Sequence, residues 1–363
     1  GRIWHSRSTA RSYGMPMLDA VFWGREMMRR SLAFLGFSLL SAALFWHCSG
    51  STTGGSVEGG DLSQTDRDGG TTPVDLAGLG GPGTVVVVNQ CSQPIWVAAL
   101  NNGSSTFIPD GGGWKQEPGE ARVVTLPNTW GGRFWGRTGC TFDGSGRGSC
   151  ETGDCGGRLQ CNGLSGKTPA SLVEFQFAGF GKKDFYDVSL VDGYNLPIAV
   201  AAQAGTYTRS NPNSKYDCGA PTCRSDLNQS CPQALQQIVA GRVVGCRSAH
   251  AACGANRNDP ALACAANDDL YACAAGGPNS VMGSCYSPGA TTQCCGCPGW
   301  SDTGTCRATN PKWALPSLPE TFAKPFKTAC PDAYSFPYDD PTSTYTCAAS
   351  AAAGVGYIVT FCP

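Results

Sequence analysis

The chain has 363 residues, enough for one large domain or two to three small ones of roughly 100–200 residues each. Lys and Arg (26) against Asp and Glu (27) leave a formal charge of −1, without the basic footprint that nucleic-acid binding requires. Of the three histidines, His5 and His47 lie in N-terminal segments outside the expected domain, and His250 alone is too few for a multi-histidine metal site and disfavours a Ser or Cys hydrolase that needs a histidine base. Twenty-one cysteines, 49 glycines and only 15% charged residues describe an exported, loop-rich chain folded in an oxidising compartment, because the cytosol keeps thiols reduced. No phosphate loop, dinucleotide fingerprint or heptad array occurs, so no cofactor is implied.

Residues 1–26, starting at Gly1, read as a doubtful N-terminal extension and carry no structural weight. Residues 27–48 read as a secretory signal: Met27-Met28-Arg29-Arg30, then an uncharged run from Ser31 to Trp46, shorter than the ~20 residues of a membrane span. Cys48 stands where bacterial lipoproteins are acylated, although Phe45, Trp46 and His47 are larger than the small residues expected before such a site. The competing reading is cleavage by a general signal peptidase, for instance after Gly50. With Cys48 acylated or removed, twenty cysteines remain to pair. Residues 49–83, rich in Gly, Ser, Thr and Asp and without aromatics, read as a flexible tether.

Order is expected from Thr84. Val85–Val88 and Ile95–Val97 read as a hairpin, and further short apolar segments lie at 121–126, 173–177, 185–191 and 357–361, set apart by Gly, Pro, Asn and Asp. This spacing predicts an all-β sandwich or barrel. The best helix candidate is Ser230–Ala240, with Ser230 as N-cap, Pro232 near the first turn and Leu235, Ile238 and Val239 on one face.

In Val173-Glu174-Phe175-Gln176-Phe177 the strand period of two separates the apolar residues from Glu174 and Gln176. In Tyr186-Asp187-Val188-Ser189-Leu190 it sends Asp187 and Ser189 outward. A hairpin through 178–183 would set Glu174 and Asp187 on one exposed face. Asp192 precedes Gly193-Tyr194-Asn195, where its carboxylate can cap the turn.

The stretch Gly146-Arg147-Gly148-Ser149-Cys150-Glu151-Thr152-Gly153-Asp154-Cys155-Gly156-Gly157-Arg158-Leu159-Gln160-Cys161 closely resembles the signature of thaumatin-like proteins. Further matches follow in order: Phe134-Trp135-Gly136-Arg137-Thr138-Gly139-Cys140, residues 184–195, Cys330-Pro331-Asp332-Ala333-Tyr334-Ser335, residues 339–344 and Phe361-Cys362-Pro363. The resemblance covers about 84–363. It implies an all-β fold: an antiparallel β-sandwich (84–137, 168–222, 331–363), a disulfide-rich loop and helix subdomain (223–330) and a small stapled hairpin region (138–167). An acidic cleft would lie between the first two.

The family's cysteine pattern implies the pairs Cys91–Cys362, Cys140–Cys150, Cys155–Cys161, Cys218–Cys347, Cys223–Cys330, Cys231–Cys246, Cys253–Cys294 and Cys295–Cys306. Cys264, Cys273, Cys285 and Cys297 exceed the pattern, three of them in an insertion at 254–293, and their connectivity stays open. A zinc site at Cys294-Cys295-Gly296-Cys297 is the lesser reading, since an exported chain favours disulfides.

By resemblance the cleft residues are Arg133, Glu174, Asp187, Asp192 and Asp339, with Asp340 the alternative to Asp339 and Arg137 on the same strand face as Arg133. Against this stands a structural reading, in which Asp192 and Asp339 bond turn amides and Arg133 neutralises them. The resemblance implies binding of β-1,3-glucan in an antifungal or defence-like role, with rings such as Tyr194 and Tyr338 stacking on sugars. A second reading is an endo-β-1,3-glucanase with Glu174 as acid and Asp192 as base or nucleophile. A third is a hydrolase inhibitor or protein-interaction module acting through 254–293. The expected state is a secreted or lipid-anchored monomer that meets the membrane only through its signal or anchor.

Overall fold

The computed structural model describes residues 76, 78–103, 105–248, 251–252, 323–335 and 339–363. Cys48, the insertion 254–293, the pairs Cys253–Cys294 and Cys295–Cys306, and the cysteines 264, 273, 285 and 297 lie outside them, as does Tyr338.

Strands appear in chain order as β1 (Thr84–Asn89), β2 (Ile95–Asn101), β3 (Gly113–Gln116), β4 (Ala121–Thr125) and β5 (Gly131–Arg137). After the short pair β6 (Thr141–Phe142) and β7 (Gly148–Ser149) come β8 (Leu172–Gln176), β9 (Asp184–Ser189), β10 (Ile198–Ala202), β11 (Tyr207–Thr208) and β12 (Thr222–Cys223). Helix α1 (Leu227–Ser230) leads to β13 (Gln236–Val239) and β14 (Arg242–Cys246). Helices α2 (Ala323–Ala329) and α3 (Asp340–Ser343) and strands β15 (Tyr345–Ala349) and β16 (Tyr357–Phe361) complete the described chain.

One sheet has the order β12-β10-β16-β1-β4 and the other β11-β15-β9-β8-β5-β2-β3. Val85, Val87, Ile198, Val200 and Val359 of the first share one buried cluster with Val97, Phe134, Val173, Phe175, Tyr186 and Val188 of the second. Phe175 and Tyr357 meet across the layers at 5.0 Å between ring centroids. Each such ring buried contributes roughly 1.5–3 kcal/mol. The architecture is an all-β sandwich.

Two expectations fail for identifiable reasons. β1 and β2 do not form a hairpin: β1 pairs with β16 and β4, β2 with β3 and β5. Asn89 turns the chain out of the first sheet, its side-chain amide donating to Gln93 O and Gln116 O while its oxygen accepts the Cys91 amide. Nor is Ser230–Ala240 a helix. The α-helix ends at Ser230, Gln233–Leu235 is a single 3-10 turn, and β13 and β14 form a hairpin through Ala240 and Gly241. Both turn residues have positive φ, 49° and 75°, as a two-residue hairpin loop requires. Cys231–Cys246 closes the hairpin's base.

Residues 78–83, assigned to the tether, are also held: Gln203 Nε2 donates to Leu79 O at 2.7 Å and Gly83 N to Val355 O at 3.2 Å.

The disulfides among the described residues are Cys91–Cys362, Cys140–Cys150, Cys155–Cys161, Cys218–Cys347, Cys223–Cys330 and Cys231–Cys246. Two of them close the small region after β5, which has a satellite core of Ala98, Trp135, Cys155, Cys161, Ala170 and Leu172. Arg137 fixes that region to the sheet rather than lining a cleft. It is fully buried and donates to the carbonyls of Trp96, Arg158 and Leu159. Burial lowers its pKa to about 10 against the opposing charge of Asp154.

A buried ion pair joins α2 to the segment before β15. Lys327 Nζ lies 2.9 Å from Asp339 Oδ2 and also donates to Ala333 O and Ser343 Oγ. Burial lowers the Lys327 pKa, and the Asp339 charge opposes that shift. Asp339 further accepts the Ser335 amide and hydroxyl and the Thr342 hydroxyl, so both of its oxygens are engaged.

Replacing Cys91 and Cys362 together by serine should cost about 2–5 kcal/mol, read as a fall in the urea midpoint. Asp339→Asn or Lys327→Met alone should each cost about 3–5 kcal/mol by leaving a buried charge unpaired, and the double change Lys327→Met with Asp339→Leu should recover most of the loss.

Candidate functional site

Strands β5, β8 and β9 are neighbours near the middle of the seven-stranded sheet, and their register aligns three ionisable residues. Arg133 is opposite Glu174, and Glu174 is opposite Asp187. Pleating sends Val173, Phe175 and Phe177 into the core, so Glu174 faces the other side with Gln176. Arg133 Nη1 is 3.9 Å from Glu174 Oε1, the side chains being 24% and 32% exposed. Two carboxylates directly opposed on a sheet repel each other, and the guanidinium at the end of the row offsets that repulsion.

The stapled region covers the sheet on one side of the row. Trp135 and Leu172 lie beneath it, and Trp135 Nε1 donates to Gly153 O at 2.9 Å. Its loop also reaches the row itself: Arg133 Nη2 donates to Ser165 Oγ at 3.1 Å. Ser165 has no signal in the sequence, being one small polar residue in a Gly-Ser loop.

The expected residues do not all share this surface in the same way. Asp187 occupies the aligned position but is only 2% exposed, and Ser189 is buried as well. At the end of β9 the chain at Tyr334 pairs with its edge in parallel, with Tyr334 N donating to Val188 O and Leu190 N to Tyr334 O. Asp192 lies beyond the end of β9, where its carbonyl accepts the Ala170 amide at 3.3 Å. Its carboxylate makes no hydrogen bond among the described residues, so the expected turn cap is absent. Asp339 is 0% exposed and committed to Lys327. Tyr194 is not a surface ring either: it is fully buried, and burial together with the charge of Asp226 raises its pKa.

Asn195 holds this arrangement together. Its amide donates to Gly136 O and Thr152 Oγ1, and its oxygen accepts the Ser171 amide, which ties β5, the stapled region and the start of β8 to one side chain. The resulting surface presents one cation, one half-exposed carboxylate, a hydroxyl and amide groups, which is a set of paired donors and acceptors.

Residues 89–276 and 263–363 match the Thaumatin family. The "Pathogenesis-related thaumatin-like protein 3.5" of Cryptomeria japonica is 38% identical over 277 residues, spanning 76% of this chain and 88% of that protein. "Pathogenesis-related protein 5" of Arabidopsis thaliana is 39% identical over 276 residues, 76% of this chain and 88% of that one. Among solved structures, that of the thaumatin-like xylanase inhibitor TLXI is 30% identical with a TM-score of 0.29, covering 33% of this chain and 76% of the inhibitor. With the sandwich, the stapled signature region and its bridges in place, the chain belongs to the thaumatin family.

Proposed function

We propose that this protein binds β-1,3-glucan-type polysaccharide across the outer face of β5, β8 and β9, outside the cell, in a defence-like or antagonistic role. The row Arg133–Glu174–Asp187, set by strand register, carries the reading. The carboxylate of Glu174 accepts hydrogen bonds from sugar hydroxyls, while Arg133 and Ser165 present polar groups beside it. Family membership and the pathogenesis-related names of relatives support the role. The six disulfides among the described residues fit a protein that folds in an oxidising compartment, whether released or anchored through Cys48.

Binding is favoured over hydrolysis because, of the two opposed carboxylates in the row, Glu174 keeps about a third of its side chain exposed while Asp187 is only 2% exposed. Glycoside hydrolysis uses a pair of carboxyl groups that both reach the sugar.

Full-length oxidised protein incubated with insoluble β-1,3-glucan should be retained without releasing soluble oligosaccharide. Glu174→Gln should weaken retention about tenfold, the scale of one charge-assisted hydrogen bond. Soluble sugars that disappear in Glu174→Gln would instead assign Glu174 as general acid. No retention at all would overturn the glucan reading and turn attention to a protein partner of 254–293.

A further inference from the structure

The outer face of β8 carries a second polar group beyond Glu174. Gln176 lies two residues on, about 7 Å along the strand, and points to the same side. Its Oε1 accepts from Asn102 Nδ2 at 3.0 Å, and its own Nε2 donates to Phe177 O at 3.2 Å. Asn102 follows the end of β2, where its amide nitrogen donates to Gly131 O at 2.8 Å. The two side-chain amides therefore bridge β2 and β8 across β5.

That bridge depends on Gly131, the residue paired with Gln176. An added Cβ at Gly131 would stand 2.6 Å from Gln176 Oε1 and closer still to the Asn102 amide. With no side chain there, the amide pair lies against the sheet beside the Arg133–Glu174 row.

Two exposed rings belong to loops that leave this same end of the sheet. Phe107, 42% exposed, belongs to the loop after β2, and its carbonyl accepts Trp130 Nε1 at 3.0 Å. Phe180, 41% exposed, belongs to the link between β8 and β9. Amides match sugar hydroxyls because both groups donate and accept, and aromatic faces cover the apolar side of a sugar ring.

We infer that the Asn102–Gln176 amide pair, together with the neighbouring loops that carry Phe107 and Phe180, is a flanking subsite that takes the next sugar units of a glucan chain held at Glu174. The inference rests on the glucan reading above and extends it along β8. It makes affinity depend on chain length, because a short oligosaccharide fills the central row alone while a longer one reaches the amides and rings.

The test is calorimetric titration of the full-length oxidised protein with linear β-1,3-gluco-oligosaccharides of three and six units. In Gln176→Ala and in Phe107→Ala, affinity for the six-unit chain should fall about tenfold and that for the three-unit chain by much less, so the ratio of the two affinities drops. The exposed Phe107 ring can be removed without opening the core, so this variant remains readable if Gln176→Ala unfolds. Wild-type six-unit affinity in both variants overturns the subsite, while weakening of both lengths by Glu174→Gln keeps the central reading. An equal fall for both lengths also overturns it, by placing the amides in the central site. Failure of the unaltered protein to bind either length overturns the glucan reading and the subsite together.

Discussion

The pleat of β8 is the constraint on which the core and the site both depend. Five residues alternate between two environments: Val173 and Phe175 enter the cluster that joins the sheets, while Glu174 and Gln176 face the other way. A one-residue slip would exchange them, placing a carboxylate among Phe134, Tyr186 and Tyr357. The energy of burying those rings thus fixes where the charged row stands. Site geometry is inherited from packing rather than from the polar contacts themselves, and the 3.9 Å separation of Arg133 and Glu174 is consistent with an ion pair that follows the register instead of setting it.

Much of this was legible in the chain. The alternation at 173–177 and 186–190 identified two strands, their link and the shared side of Glu174 and Asp187, because a period of two leaves a visible trace when one face is apolar. The long-range structure left no such trace. Nothing in Val85–Val88 shows that its partners are a strand at the far end of the chain and one beyond β3, and proximity in sequence suggested β2 instead. The helical spacing of Leu235, Ile238 and Val239 was misleading because a disulfide and a positive-φ turn overrode it. Asp187 is only 2% exposed although its register position beside Glu174 is an outward one, so exposure could not be read from the local pattern.

Charged groups in this fold serve two separate purposes. Arg137, Lys327 and Asp339 are withdrawn from water and surrounded by fixed partners, so each joins segments distant in sequence. Arg133 and Glu174 keep water on one side, which sugar hydroxyls would replace under the proposed function. Two arginines four residues apart on one strand therefore differ in role through what covers them: the stapled region closes over Arg137 and stops at Ser165 beside Arg133.

The parallel pairing of β1 with β16 has a consequence for how the protein is made. The first strand of the sandwich is synthesised long before its neighbour, and Cys91 waits for a partner 271 residues away. Until the final strand emerges, four consecutive valines have one open edge, a segment of the kind that aggregates when left unpaired. The five-stranded sheet cannot close progressively from its N-terminus. Closure of the sandwich therefore waits until β16 has been synthesised, which makes it a late event in the life of the chain.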